Sequence, residues 1–134
     1  MGKKEKIVAI IQARMGSSRL PGKVLKEVNG VPLLKYQFER VKQSLFLFET
    51  VIATTVREEN DVIAEFCEQN QISCFRGSED DVLSRYYECA REYKADIVVR
   101  LTADCPLIDP QVIDEVVNIY MENDYDFVAN TAPP

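Results

Sequence analysis

Ile7-Val8-Ala9-Ile10-Ile11-Gln12-Ala13-Arg14-Met15-Gly16-Ser17-Ser18-Arg19-Leu20-Pro21-Gly22-Lys23 decides the fold. Its first five residues are apolar without alternation, as in a strand covered on both faces. The segment from Arg14 to Lys23 then carries two arginines, a lysine, two serines and two glycines. A buried strand emptying into a cationic, hydroxyl-bearing, glycine-containing loop is how α/β proteins hold phosphates. The loop is not a Walker loop, because Lys23 is followed by Val24 rather than by a hydroxyl residue. Its arginine forks and lysine point charge match a triphosphate. The alternative is an exposed basic loop without a ligand.

Strand and helix patterns alternate along the rest of the chain. After the loop, Asn29-Gly30 signals a tight turn. Helices are expected over about 32–44, 58–69, 80–93 and 110–122. Strands are expected over 6–12, 50–55, 72–76, 96–101 and 125–130. This order predicts one α/β domain with a doubly wound, mostly parallel sheet. Ligands of such sheets sit beyond the carboxyl ends of the strands. That edge receives Arg14, Arg76-Gly77-Ser78, Asp104 and Asn130.

Composition narrows the chemistry. The 134 residues contain no histidine, which removes imidazole-based triads. Cys67, Cys74, Cys89 and Cys105 form no C-x-x-C pair and read as small apolar residues rather than a zinc site. The net charge of −6 argues against a nucleic-acid partner. Residues 1–30 nevertheless balance to +5 and residues 31–134 to −11, so the cationic segment is a local anion site. No apolar run approaches the roughly 20 residues of a membrane span. The apolar stretch after the basic start is shorter than the roughly 7–15 residues of a signal-peptide core. The expectation is a cytoplasmic protein with no membrane partner.

Two further segments bear on function. Asp104 ends strand four and reads either as a Mg²⁺ ligand, which needs only one or two carboxylates beside phosphate oxygens, or as a loop carboxylate holding backbone donors. Gly77-Ser78-Glu79-Asp80-Asp81 opens the third helix and reads either as a set of groups contacting base and ribose or as an N-cap with first-turn acids. Asp109 before Pro110 reads as a cap. Tyr86 and Tyr87 read as core and surface, and the acids of the second helix as a solvated face.

The segment from Gln12 to Lys23 resembles the signature of the CMP-sugar synthetase-like cytidylyltransferases, closest to the spore-coat polysaccharide biosynthesis branch. Phe75-Arg76-Gly77-Ser78-Glu79-Asp80-Asp81-Val82-Leu83-Ser84-Arg85-Tyr86 and Arg100-Leu101-Thr102-Ala103-Asp104-Cys105-Pro106-Leu107-Ile108 resemble two further motifs of that branch. The resemblance implies a nucleotide-diphospho-sugar transferase fold. It also implies a reaction in which CTP and a sugar acid or sugar phosphate give a cytidine-linked sugar and pyrophosphate. It assigns nucleotide binding to Gln12, Ala13, Arg14, Gly16, Ser17, Ser18, Ser78 and Asp80. Arg19 and Lys23 would act catalytically on the departing pyrophosphate, and Asp104 would hold Mg²⁺. The resemblance is compatible with a homodimer. Members are usually well over 200 residues, with the sugar pocket and a second metal carboxylate in their later half. The sheet is therefore expected to be incomplete at the C-terminus, residues 1–134 being the nucleotide-binding portion of a single domain. Weak CTP binding and poor turnover follow as expectations.

Three rival readings of the sequence remain. A sugar-1-phosphate or molybdopterin nucleotidylyltransferase would begin with a G-G-x-G-x-R loop, where this chain has Ala13-Arg14-Met15-Gly16. A nucleotide-binding scaffold would keep the fold without catalysis. A glycosyltransferase would need an Asp-x-Asp motif, which Asp104-Cys105-Pro106 is not.

Overall fold

A computed structural model describes residues 5–16, 22–103 and 108–122. Four strands form a parallel sheet: β1 (Ile7–Gln12), β4 (Glu49–Thr55), β5 (Ser73–Gly77) and β6 (Ile97–Thr102), in the order β5-β4-β1-β6. A two-stranded hairpin, β2 (Glu27–Val28) with β3 (Val31–Pro32), precedes α1 (Leu33–Val41). The remaining helices are α2 (Asp61–Gln69), α3 (Val82–Glu92) and α4 (Pro110–Glu122).

The parallel, doubly wound sheet follows from β1. Ile7, Ala9 and Ile11 face one side and meet Leu34 and Val41 of α1, Ile63 and Cys67 of α2, and Ile113 and Val117 of α4. Val8 and Ile10 face the other side and meet Val51, Ala53, and Tyr86 and Cys89 of α3. Each buried isoleucine contributes about 1.5–3 kcal/mol, so an unbroken apolar run is stable only with both faces covered. Right-handed crossovers explain the helix placement. The chain steps from β1 to β4 to β5 in one direction, then returns across both to reach β6. The return helix, α3, therefore covers the opposite face.

Several boundaries differ from expectation, each for a local reason. Pro32 lies in β3 and precedes α1 rather than opening it, and the helix ends at Val41. Beyond it the turn tightens, with Gln43 N–H on Arg40 O and Ser44 N–H on Val41 O. Residues 58–60 form a 3₁₀ turn before α2, and Asn70 caps the helix as expected. α3 starts at Val82 because Asp81 is the N-cap, its side chain accepting the Ser84 N–H at 2.9 Å. Asn29 and Gly30 both take positive φ, as a tight hairpin turn requires. α4 has its expected bounds, and the Asp109 carboxylate accepts the Gln111 N–H at 2.9 Å. The expected strand over 125–130 lies outside the described residues.

The cysteines behave largely as small apolar residues. Cys67 and Cys89 are fully buried, and burial pushes the Cys89 thiol up to about 12. Cys74 is half-buried, and hydrogen bonding from Cys67 lowers its pKa. Cys105 is outside the described residues. Tyr86 is buried and Tyr87 exposed, as anticipated.

Candidate functional site

The strand order reverses at β1, which has β4 on one side and β6 on the other. The crevice of an open parallel sheet opens there, beyond the carboxyl ends. Gln12 pairs in register with Ala53 and with Thr102. The Ala13 N–H donates to Ala53 O and the Ala103 N–H to Gln12 O, both at 2.9 Å. β1 is thus held on both sides up to the residue where the loop begins.

The loop closes at its neck. The Gly22 N–H donates to Met15 O at 2.7 Å. Gly22 has φ +77°, a left-handed conformation that glycine adopts without strain. Lys23 follows at the start of a 3₁₀ turn over Lys23–Leu25, and the buried Val24 anchors that turn in the core. Lys23 is half-buried and makes no ion pair among the described residues.

A polar chain ties this neck to the ends of β4 and β5. The Met15 N–H donates to Asn60 Oδ1 at 2.8 Å, and Asn60 Nδ2 donates to Thr55 Oγ1 at 2.5 Å. Thr55 Oγ1 also accepts the Arg57 N–H, so its own hydroxyl proton is free to reach the Glu79 carboxylate. Glu79 Oε1 lies 3.5 Å from Arg14 Nη1 and 3.7 Å from Arg57 Nε. The Thr55 hydroxyl, followed by the charges of Arg57, Arg14 and Arg85, holds Glu79 below the ordinary carboxylate range against an opposing contribution from burial. The chain closes into a ring, since Arg14 and Met15 are consecutive.

Arg85 sits beneath the segment after β5 and is 1% exposed. Its Nη1 donates to the carbonyls of Ser78 and Glu79. Its Nε and Nη2, together with Glu79 Oε2, are buried without a partner among the described residues. Burial, and then the neighbouring Arg14 charge, lower the Arg85 pKa. Arg76 is committed elsewhere, donating to Thr55 O and Arg57 O at 2.9 Å and pairing with Asp61 at 2.8 Å. Asp61 is therefore more than part of a solvated helix face.

The anticipated site residues fall into three groups. Arg14, Gly16 and Lys23 stand at the carboxyl edge with Gln12, which is half-buried. The Ala13 side chain is buried in the core. Gly16 is exposed, and a Cβ there would lie 3.3 Å from Glu59 Oε1. Ser78 and Asp80 are exposed; the Ser78 hydroxyl accepts the Asp81 N–H at 3.1 Å, a local turn contact. Ser17, Ser18, Arg19 and Asp104 lie outside the described residues. Among the described residues no group of three or more His, Cys, Asp or Glu is placed to hold a metal. Sequence reasoning missed Thr55, Asn60 and Arg85, and did not single out Glu79. Arg85 did leave a signal, because a charged residue on the apolar stripe of α3 is the informative exception to burial.

A family model described as cytidylyltransferase matches residues 8–134. The chain belongs to the cytidylyltransferase family. Spore coat polysaccharide biosynthesis protein SpsF of Bacillus subtilis is 38% identical over 92% of this chain and 54% of its own length. The solved cytidylyltransferase of Leptospira borgpetersenii superposes with a TM-score of 0.83 at 42% identity, over 89% of this chain and 50% of that one. A CMP:2-keto-3-deoxy-manno-octonic acid synthetase solved in complex with CTP superposes with a TM-score of 0.75 at 28% identity, over 89% of this chain and 48% of that one. The nucleotidyltransferase fold read from the sequence is therefore the fold observed. The chain spans about half the length of the family relatives it matches.

Proposed function

We propose that this chain supplies the nucleotide side of a cytidylyl transfer from CTP to a sugar acid or sugar phosphate, as in surface or spore-coat polysaccharide synthesis. The observation that carries this reading is the loop neck at the switch point, pinched by Gly22 N–H on Met15 O, with Arg14 before it and Lys23 after it. A triphosphate laid across the neck would meet cations on both flanks. An oxygen of the sugar attacks the α-phosphorus, the bond to the bridging oxygen breaks, pyrophosphate leaves, and any proton on the attacking oxygen passes to solvent. Such a displacement needs positioning and charge neutralisation rather than a histidine. Lys23 and Arg19 would offset charge on the departing pyrophosphate. The backbone of Gln12 to Gly16, with Ser17 and Ser18, would hold the nucleotide.

Asp104 follows Ala103, which is hydrogen-bonded to Gln12. We assign Mg²⁺ to that carboxylate, since one carboxylate plus phosphate oxygens suffices for this ion. When bound there, Mg²⁺ would neutralise phosphate charge. We read residues 1–134 as the nucleotide-binding portion of a single domain, acting in the cytoplasm without nucleic acid or membrane. Among the described residues no helix is long and apolar enough to cross a membrane. The test is a thermal-shift panel of ATP, GTP, CTP and UTP with and without Mg²⁺. CTP with Mg²⁺ is expected to give the largest stabilisation, about 2.7 kcal/mol at a hundredfold excess over Kd. A larger shift with another nucleotide would sink the reading.

A further inference from the structure

We propose that Glu79 and Arg85 are the base-reading pair of this site: Glu79 Oε2 accepts from the exocyclic amino group of cytosine, and the Arg85 guanidinium donates to the adjacent ring nitrogen or carbonyl. The inference rests on the cytidine nucleotide reading above and assigns its specificity to two residues. The first observation is the unmet hydrogen bonding. Glu79 Oε2, Arg85 Nε and Arg85 Nη2 are buried and have no partner among the described residues. Such groups are costly to leave unpaired and persist where a ligand or water completes them.

The second observation is that the two side chains do not satisfy each other. No Glu79–Arg85 ion pair within 4.0 Å occurs among the described residues. Each is committed through part of its side chain, Glu79 also to the Thr55 hydroxyl. Glu79 Oε1 faces Arg14 and Arg57, and Arg85 Nη1 is held by the carbonyls of Ser78 and Glu79. What remains is one acceptor and a set of donors belonging to a single short segment.

That combination selects its ligand by chemistry. A phosphate drawn to Arg85 would be repelled by the Glu79 carboxylate, so the pair suits a neutral group with a donor beside an acceptor. Cytosine presents an amino donor beside the N3 acceptor, whereas uracil presents a carbonyl acceptor beside an N3–H donor. A carboxylate facing the uracil carbonyl is repulsive and leaves both groups unpaired. Adenine shares the amino-and-ring-nitrogen pattern, so the informative comparison is between the two pyrimidines. Location agrees: Arg14, which opens the phosphate loop, contacts Glu79. A nucleotide with its phosphates at that loop would project its base towards the end of β5.

The test is calorimetric titration of the protein with CTP and with UTP, in Mg²⁺, for the wild type, Glu79→Gln, Glu79→Ala and Arg85→Lys. Losing the Arg14 contact acts on both nucleotides alike, so the ratio of affinities isolates base reading. Glu79→Gln, a near-isosteric change, is expected to lower the CTP-over-UTP preference by about tenfold or more, because its amide can donate to the uracil carbonyl. Glu79→Ala is expected to weaken CTP without strengthening UTP. Arg85→Lys keeps the charge but loses the planar fork, and is expected to lower the preference as well. A wild-type preference retained in both Glu79 variants would overturn this inference and leave the cytidine reading standing. A wild type that binds CTP and UTP equally would overturn the cytidine reading itself.

Discussion

The two ends of the sheet solve opposite problems. At the amino ends of the strands the buried side-chain polar atoms of the described residues are met, and apolar side chains are left in water. The Lys6 N–H donates to Asp96 Oδ2, the Phe48 N–H to Ile7 O, and the Leu45 N–H to the Asp114 carboxylate. Leu45 is nevertheless 88% exposed and Phe48 70% exposed, beside shallow hollows of about 250 and 390 Å³. At the carboxyl ends the balance is reversed. The buried side-chain polar atoms without partners among the described residues belong to Thr54, Glu79 and Arg85, all on that side. These two hollows are thus at the wrong end for the proposed chemistry. On the function proposed above, the incomplete hydrogen bonding, not the depth of a cavity, marks the edge where the nucleotide would sit, since unmet donors and acceptors are what a polar ligand can complete.

The contrast predicts that mutations at the two ends differ in kind. The largest effect is expected for Asn60→Ala. It removes a fully buried side chain that accepts from Met15 and donates to Thr55, and should cost about 3 kcal/mol in chemical denaturation. Next is Lys23→Ala, expected to weaken CTP by about tenfold to a hundredfold in calorimetry. Its stability should change by no more than about 0.5 kcal/mol. An equal loss of stability and binding would mean that Lys23 holds the loop rather than the ligand.

Protonation of Glu79 comes third. Its folded-state pKa is depressed, so its ion pairs stabilise the protein above the unfolded value of 4.5 and are lost as pH falls through the lower folded value. The difference in unfolding free energy between wild type and Glu79→Gln should therefore be constant near neutrality and shrink only in acid. A difference already lost above 4.5 would contradict the ring of contacts around Glu79. The smallest effect is expected for Leu45→Ser and Phe48→Ser, each within about 1 kcal/mol of wild type and without change in nucleotide affinity. A marked loss of affinity would erase the distinction between the two ends.

How much of this was legible depended on whether the chemistry was contiguous. β1 could be read because one apolar run must be covered twice, and α4 because Asp109 and Pro110 mark its start unambiguously. The start of α3 could not, because Asp80 and Asp81 are equally good caps in sequence. Only geometry shows which one accepts the Ser84 N–H. The loop neck stands out in the sequence because Arg14, Gly16, Gly22 and Lys23 are neighbours along the chain. Thr55 and Asn60 are near neighbours after β4, but Glu79 meets them only through the register of β4 with β5, where Thr55 stands opposite Gly77. That register is a tertiary fact. The motif after β5 drew attention to Ser78 and Asp80, yet Glu79 between them is the residue turned to Arg14.

The most direct test is an amide chemical-shift titration of the ¹⁵N-labelled protein with CTP and Mg²⁺. Shifts are predicted at the carboxyl edge, over Gln12 to Gly16, at Gly22 and Lys23, and from Gly77 to Glu79. The amides of Leu45 to Phe48 are predicted to stay unchanged. Shifts concentrated at Leu45 to Phe48, or none at the loop neck with saturating CTP, would contradict the account.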